Sequence, residues 1–156
     1  MTDASTPSAR LAELGLSLPP VAVPLAAYTP AVRVGNQIWT SGQLCSVEGK
    51  LVATGKVGAE VSPDEATAAA RICALNALAA AASVAGGLDA ITRIVKVVVF
   101  VSSSADFTGQ PAVANGASEL LGQVFGEAGV HVRSAVGVSV LPLDAAVELE
   151  LVVETS

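Results

Sequence analysis

The chain has 156 residues, 52% of them hydrophobic and 14% charged, with a net charge of −6. That length suits one domain with a substantial core, and the hydrophobic share excludes general disorder. Eight Lys and Arg, scattered from Arg10 to Arg133, speak against a nucleic-acid surface, which needs a basic stripe to replace phosphate counterions.

From the N-terminus, "MTDASTPSAR" lacks a basic segment followed by an apolar one, so no secretory signal is expected. "SARLAELGL" predicts a short helix ending near Gly15, and Pro19-Pro20 then enforce an extended connection. "AVRVGNQIWTSGQL" predicts a strand pair, or one bent strand, about the turn dipeptide Gly35-Asn36. "VEGKLVATG" predicts another turn at Glu48-Gly49.

"SPDEATAAARICALNALAAAASVAGG" is the clearest helix. Ser62 is placed to cap it, Pro63 suits its first position, Glu65 completes a capping box, and Gly86 or Gly87 ends it. "ITRIVKVVVFVSS" reads as a strand apolar on both faces from Val97 onward. "QPAVANGASELLGQVFGEAG" gives a second helix with Pro111 near its start. "RSAVGVSVLP" and "AVELELVVE" then read as a terminal antiparallel hairpin turning at Leu143-Asp144. The Ala-rich run is broken by Asn76 and "IVKVVVFV" is short, so no membrane span is expected. The expectation is a soluble cytoplasmic protein without membrane contact.

Two helices can cover one face of one sheet, whereas strands apolar on both sides need cover on the other face too. With so few charges available, the simplest cover is another copy of the chain.

Arg133 is the one full charge in "GVHVRSAVGVSVLP". Strand alternation puts Val132, Ser134, Val136, Val138 and Val140 on one face, expected under the helices. Arg133, Ala135, Gly137, Ser139 and Leu141 share the other, whose small residues leave space before the guanidinium. In the last strand Glu148, Glu150 and Glu154 oppose Val147, Leu149, Leu151 and Val153. A tight hairpin would bring the Glu face and the Arg face together.

Two readings stand: a salt bridge in an oligomer interface, or an anion site. In the second, the planar guanidinium holds a carboxylate bidentately and a nearby Glu accepts a proton. In the hairpin register Ser139 lies opposite Glu148, so Arg133 is about 20 Å further along. A pocket using both residues would therefore draw them from two chains.

"RSAVGVSVLP" with "AVELEL", "VRVGNQIWTSGQL", and "ADFTGQPAVANGASELLGQVFGEAG" resemble the signature segments of the RidA/YjgF-type reactive intermediate deaminases, over nearly all of residues 26–154. The extra N-terminal helix resembles the longer subgroup, whose members are often labelled endoribonuclease-like. The resemblance implies a single domain over 1–156, with 1–25 as an N-terminal extension. It implies an α/β (α+β) chorismate-mutase-like fold, one mixed sheet with two helices on one face, in a homotrimer with a central barrel and ligand clefts between subunits.

It further implies that Arg133 grips a substrate carboxylate and that Glu148 positions or activates water. Tyr28, Ser41, Gly42, Asn115 and the backbone N–H of Ala135 would complete substrate binding. The implied reaction is hydrolysis of an enamine or imine such as 2-aminoacrylate to a 2-keto acid and ammonia, with no cofactor and no metal. The alternatives are a non-catalytic binder of small carboxylates or keto acids, and RNA cleavage, which the acidic charge and the lone His131 oppose. Family members often carry Cys and Glu two and four residues after the arginine, where this chain has Ala135 and Gly137. An insertion around Thr108–Gln110 is expected to reshape the cleft mouth.

Trp39 and Tyr28 invite bland readings as packing residues, Trp39 in the core. His131 reads as an exposed loop residue. Cys45 and Cys73, in no redox or zinc spacing, read as inert thiols.

Overall fold

The computed structural model describes residues 5–24 and 26–156. Helix α1 (Pro7–Glu13) starts where Thr6 Oγ1 accepts from the Ala9 N–H at 3.2 Å. Leu11 is buried, and Ser8 anchors the helix by donating to the Asp89 carboxylate through both its N–H and its hydroxyl, at 2.8 and 2.6 Å.

Strands β1 (Ala31–Val34) and β2 (Gln37–Thr40) form the hairpin expected about Gly35-Asn36. Short β3 (Gln43–Leu44) follows, then a second hairpin of β4 (Ser46–Val47) and β5 (Lys50–Leu51). Glu48 and Gly49 turn it with φ of 53° and 78°, the left-handed pair that a two-residue hairpin requires.

Helix α2 (Pro63–Ala85) has Ser62 Oγ accepting from the Glu65 N–H at 3.2 Å, and it ends at Gly86 with φ of 92°. By length and composition α2 could cross a membrane, which corrects the expectation of no such run. Its setting is that of a core helix: most of its alanines and Leu78 are buried, and Asn76 Nδ2 donates to the carbonyls of Leu44 and Ser46 at 3.0 and 2.9 Å. Strand β6 (Ile91–Ser102), helix α3 (Gln110–Phe125), strand β7 (Val132–Val138) and strand β8 (Val147–Thr155) complete the chain. The two long helices touch closely at Gly116, where a side chain would collide with the Thr67 carbonyl oxygen.

The main sheet runs β1-β2-β8-β6-β7, with β3 also on β8. This overturns the terminal hairpin. β8 runs antiparallel to β6, β7 runs parallel to it on the far side, and β7 and β8 are not neighbours. A parallel neighbour requires a crossover, and α3 supplies it between β6 and β7. The chain does turn at Leu143-Asp144, both with positive φ (58° and 61°) and with the Ala145 N–H donating to the Pro142 carbonyl at 3.1 Å, but this turn lies in the connection to β8 and does not join two paired strands.

The register also reverses the faces assigned to β7. Arg133, Ala135 and Gly137 pair with Val97, Val99 and Val101, all fully buried beneath the helices. Val132, Ser134, Val136 and Val138 pair with Lys96, Val98, Phe100 and Ser102 on the open face. Alternation names the more apolar side of a strand, but β7 is an edge strand and its valines stay exposed, Val132 at 65% and Val136 at 43%. For β8 the expected alternation is what the structure has: Val147, Leu149, Leu151 and Val153 are buried, and Glu148, Glu150 and Glu154 look to the open side. Trp39 is on that open face too, 51% exposed, correcting its reading as a core residue.

Candidate active site

The expected site residues fall into two groups within one chain. The first is built by β7 and α3. Arg133 Nη1 donates to Asn115 Oδ1 at 2.8 Å and to Ser118 Oγ at 3.1 Å, and Nη2 donates to the Pro111 carbonyl at 3.4 Å. Pro111, Asn115 and Ser118 are spaced i, i+4, i+7, so α3 presents them as one stripe along the side chain of Arg133. All three partners are uncharged, which leaves the positive charge of Arg133 without a counter-ion among them.

Ala135 and Gly137 follow Arg133 on the same face. A side chain at Gly137 would come within 2.7 Å of Gln110 Nε2, which donates to the Phe107 carbonyl at 2.9 Å and to Ser103 Oγ at 3.2 Å. The small residues of β7 thus admit the first turn of α3. That corrects the expectation that they leave the space before Arg133 empty.

The second group lies around Glu148 on the open face. Glu148 is paired with Phe100 on one side and Leu44 on the other, half-buried. Burial, then the neighbouring Glu150 charge, raises its carboxyl above the ordinary range. Gly42 is packed against it: a side chain there would collide with Glu148 Oε1. Ser41 donates its hydroxyl to the Thr29 carbonyl at 2.6 Å and its N–H to the Pro30 carbonyl at 2.8 Å, so it ties down the segment before β1. Tyr28, half-exposed, stands apart from Glu148: with Gly42 and Gln43, and with Ile72, Leu75 and Asn76 of α2, it lines a cavity of 740 Å³ beneath segment 17–24.

The two groups do not meet within a chain. Arg133 is level with Val97 and Glu148 with Phe100, on opposite faces and two strands apart. The offset is about 10 Å across the sheet and about 10 Å along it. The separation inferred from the hairpin survives, although the hairpin and the shared face do not.

Ser118, Pro111 and His131 also belong to the Arg133 group, beyond the site residues expected from the sequence. His131 is half-buried and bonded, with Nε2 2.9 Å from Ser118 Oγ and Nδ1 2.6 Å from the Gly129 carbonyl, rather than a free loop residue. The helical spacing of 111, 115 and 118 was the available signal, since it marks the stripe that carries Asn115. The thiols of Cys45 and Cys73 are both free and buried, and burial pushes that of Cys73 well up.

Residues 8–155 match the family described as "YjgF/chorismate mutase-like, putative endoribonuclease". The chain is 46% identical over 148 residues to Protein TCP17 of Trypanosoma cruzi, covering 94% of this chain and 92% of that protein. It is 31% identical over 138 residues to a 2-iminobutanoate/2-iminopropanoate deaminase of Dermatophagoides farinae, covering 88% and 93%. Among solved structures, a Shewanella oneidensis protein labelled "putative endoribonuclease" superposes with a TM-score of 0.92 at 38% identity, covering 96% of this chain and 99% of that one. The fold is therefore a mixed α+β domain of the chorismate-mutase-like kind. The chain belongs to the YjgF/RidA family.

Proposed function

We propose that the protein hydrolyses reactive enamines and imines that carry a carboxylate, such as 2-aminoacrylate, to the 2-keto acid and ammonia. The observation that carries this reading is the state of Arg133. Three of its five N–H groups are spent on uncharged partners, and among the described residues Nε–H and one Nη2–H have no partner and are available to an anion. The likeness to a 2-iminobutanoate/2-iminopropanoate deaminase supports the same substrate class.

In this reading Arg133 fixes the substrate carboxylate, with Asn115 and the Ala135 N–H beside it. An enamine substrate first takes a proton from solvent at its β-carbon and becomes the imine; Glu148, its carboxyl raised by burial, then accepts a proton from water as the oxygen attacks the imine carbon. Nitrogen leaves as ammonia after taking up protons. Gly42 and Ser41 shape the floor of the cleft and Tyr28 its wall. The substrate is already electrophilic, so the reaction asks for no cofactor. The free thiols fit a reducing, cytoplasmic setting.

Since Arg133 and Glu148 stand apart in one chain, the site is formed between chains of a homotrimer whose open sheet faces close a central barrel. Val32, Trp39, Val132 and Val136, exposed on that face, are the apolar surface such an assembly covers. The test co-refolds Arg133→Ala with Glu148→Gln subunits. Mixed trimers contain clefts with both wild-type residues, so imine hydrolysis recovers in the mixture and is absent from either homotrimer. Confirmed subunit exchange without recovery, or a stable monomer by light scattering, overturns the shared cleft.

A further inference from the structure

His131 lies on the far side of Ser118 from Arg133, and the hydrogen positions in this row follow from the acceptors. A carbonyl oxygen only accepts, so the 2.6 Å contact to the Gly129 carbonyl places a proton on His131 Nδ1. In the neutral ring Nε2 is then the acceptor. The Ser118 hydroxyl, 2.9 Å away, donates its only proton to Nε2. That rotor setting turns a lone pair of Ser118 Oγ toward Arg133 Nη1, 3.1 Å off, which donates to it. The other Nη1 hydrogen goes to Asn115 Oδ1 at 2.8 Å. Both hydrogens of Nη1 are thereby spent, and the guanidinium cannot rotate about its Cζ–Nη1 or Nε–Cζ bonds without breaking them.

We propose that His131 is a positioning residue: through the Ser118 hydroxyl it locks the Arg133 guanidinium so that the Nε/Nη2 edge, and no other, faces the incoming carboxylate. It touches no substrate. This deepens the assignment of Arg133 as the carboxylate site and rests on it for its consequence, while the lock itself is a property of the ligand-free protein. The gain is entropic. A pre-set fork loses less freedom when the carboxylate binds than a swivelling one, and the ring, held by Gly129 and half-buried, is the stiff end of the row. Without the Nε2 acceptor, the Ser118 hydroxyl is free to turn its proton toward Nη1, where donor would meet donor.

The experiment uses the full chain, with the ¹⁵N signals of the Arg133 guanidinium as one readout and titration with pyruvate as the other. In the wild type the Nη signals are resolved by hindered rotation. They collapse in His131→Ala and in Ser118→Ala, and they return in His131→Gln, whose amide oxygen reaches the Nε2 position. Each alanine variant weakens pyruvate binding about tenfold, and the double variant is no weaker than either single one, because both cut one row. In imine hydrolysis the loss falls on KM rather than kcat, since the carboxylate is held alike in ground and transition states.

Additive losses in the double variant, or Nη signals unchanged in His131→Ala, overturn the proposal and leave His131 as a packing residue. Ser118→Thr keeps the hydroxyl and must keep the signals that Ser118→Ala loses, so the proposal can fail even where His131→Ala does not fold. Collapse of the signals together with pyruvate binding unaffected by Arg133→Ala would instead sink the proposed function and leave the lock standing.

Discussion

Replacing Arg133 by Lys keeps the charge and removes the fork. Of the five N–H groups of Arg133, three hold α3 through Asn115, Ser118 and Pro111, which leaves Nε–H and one Nη2–H for a ligand. A lysine ammonium has three N–H groups on one atom. It cannot bond to Asn115 and also present two parallel donors to a carboxylate. One charge-assisted hydrogen bond to the ligand is lost, at about 1.5–3 kcal/mol, together with the fixed orientation. A loss of about 2–3 kcal/mol corresponds to a fall of about 30- to 150-fold in kcat/KM. Arg133→Ala should fall at least as far. The assay follows 2-keto acid formation from 2-aminoacrylate generated in situ, with thermal denaturation as a control. The stability change should be small, because the bonds of Arg133 are largely exposed and lie at the sheet edge. Activity of Arg133→Lys within threefold of wild type would show that the fork does not hold the substrate.

Gly42→Ala puts a methyl group where Glu148 Oε1 now lies, so the carboxylate must retreat by about 1 Å, a misplacement that costs on the order of 10²-fold in rate; unchanged turnover would remove Glu148 from the chemistry. Burial raises the Glu148 carboxyl, so its favourable contribution to folding is present below the unfolded carboxylate range and is lost as pH rises through the folded value. Glu148→Gln should therefore gain thermal stability over wild type at pH 7 and lose that advantage in acid; an advantage that grows in acid refutes the burial argument. With wild-type Glu148 acting as the base, the rate should fall on acidification at a pH above the ordinary carboxylate range. Filter binding at physiological salt should detect no useful affinity for RNA, given a net charge of −6; tight binding with a steep salt dependence would revive the endoribonuclease reading.

Local chemistry was legible wherever it is self-contained. Ser62, Pro63 and Gly86 delimit α2 because capping and left-handed termination depend on residues a few positions apart. The Glu48-Gly49 hairpin and the alternation along β8 follow for the same reason: β8 is central in the sheet, so one of its faces must be apolar. Alternation misled on β7. Its valines face outward, and the side bearing Arg133 and Gly137 is the one that meets α3. Trp39 and His131 were misjudged likewise, since neither an unfilled sheet face nor a partner thirteen residues away is visible in a local pattern.

What the sequence determined by itself was the two long helices with the ends of α2, the main strands and the types of side chain fit for holding a carboxylate, because caps, turns and donor geometry act over a few residues. Which strands pair was decided by the tertiary structure alone: β6 takes β7 on one edge and β8 on the other, and only the α3 crossover makes β7 its parallel neighbour. That choice turns Arg133 toward Asn115 and Ser118 and away from Glu148, since reversing the face of a strand moves every side chain on it.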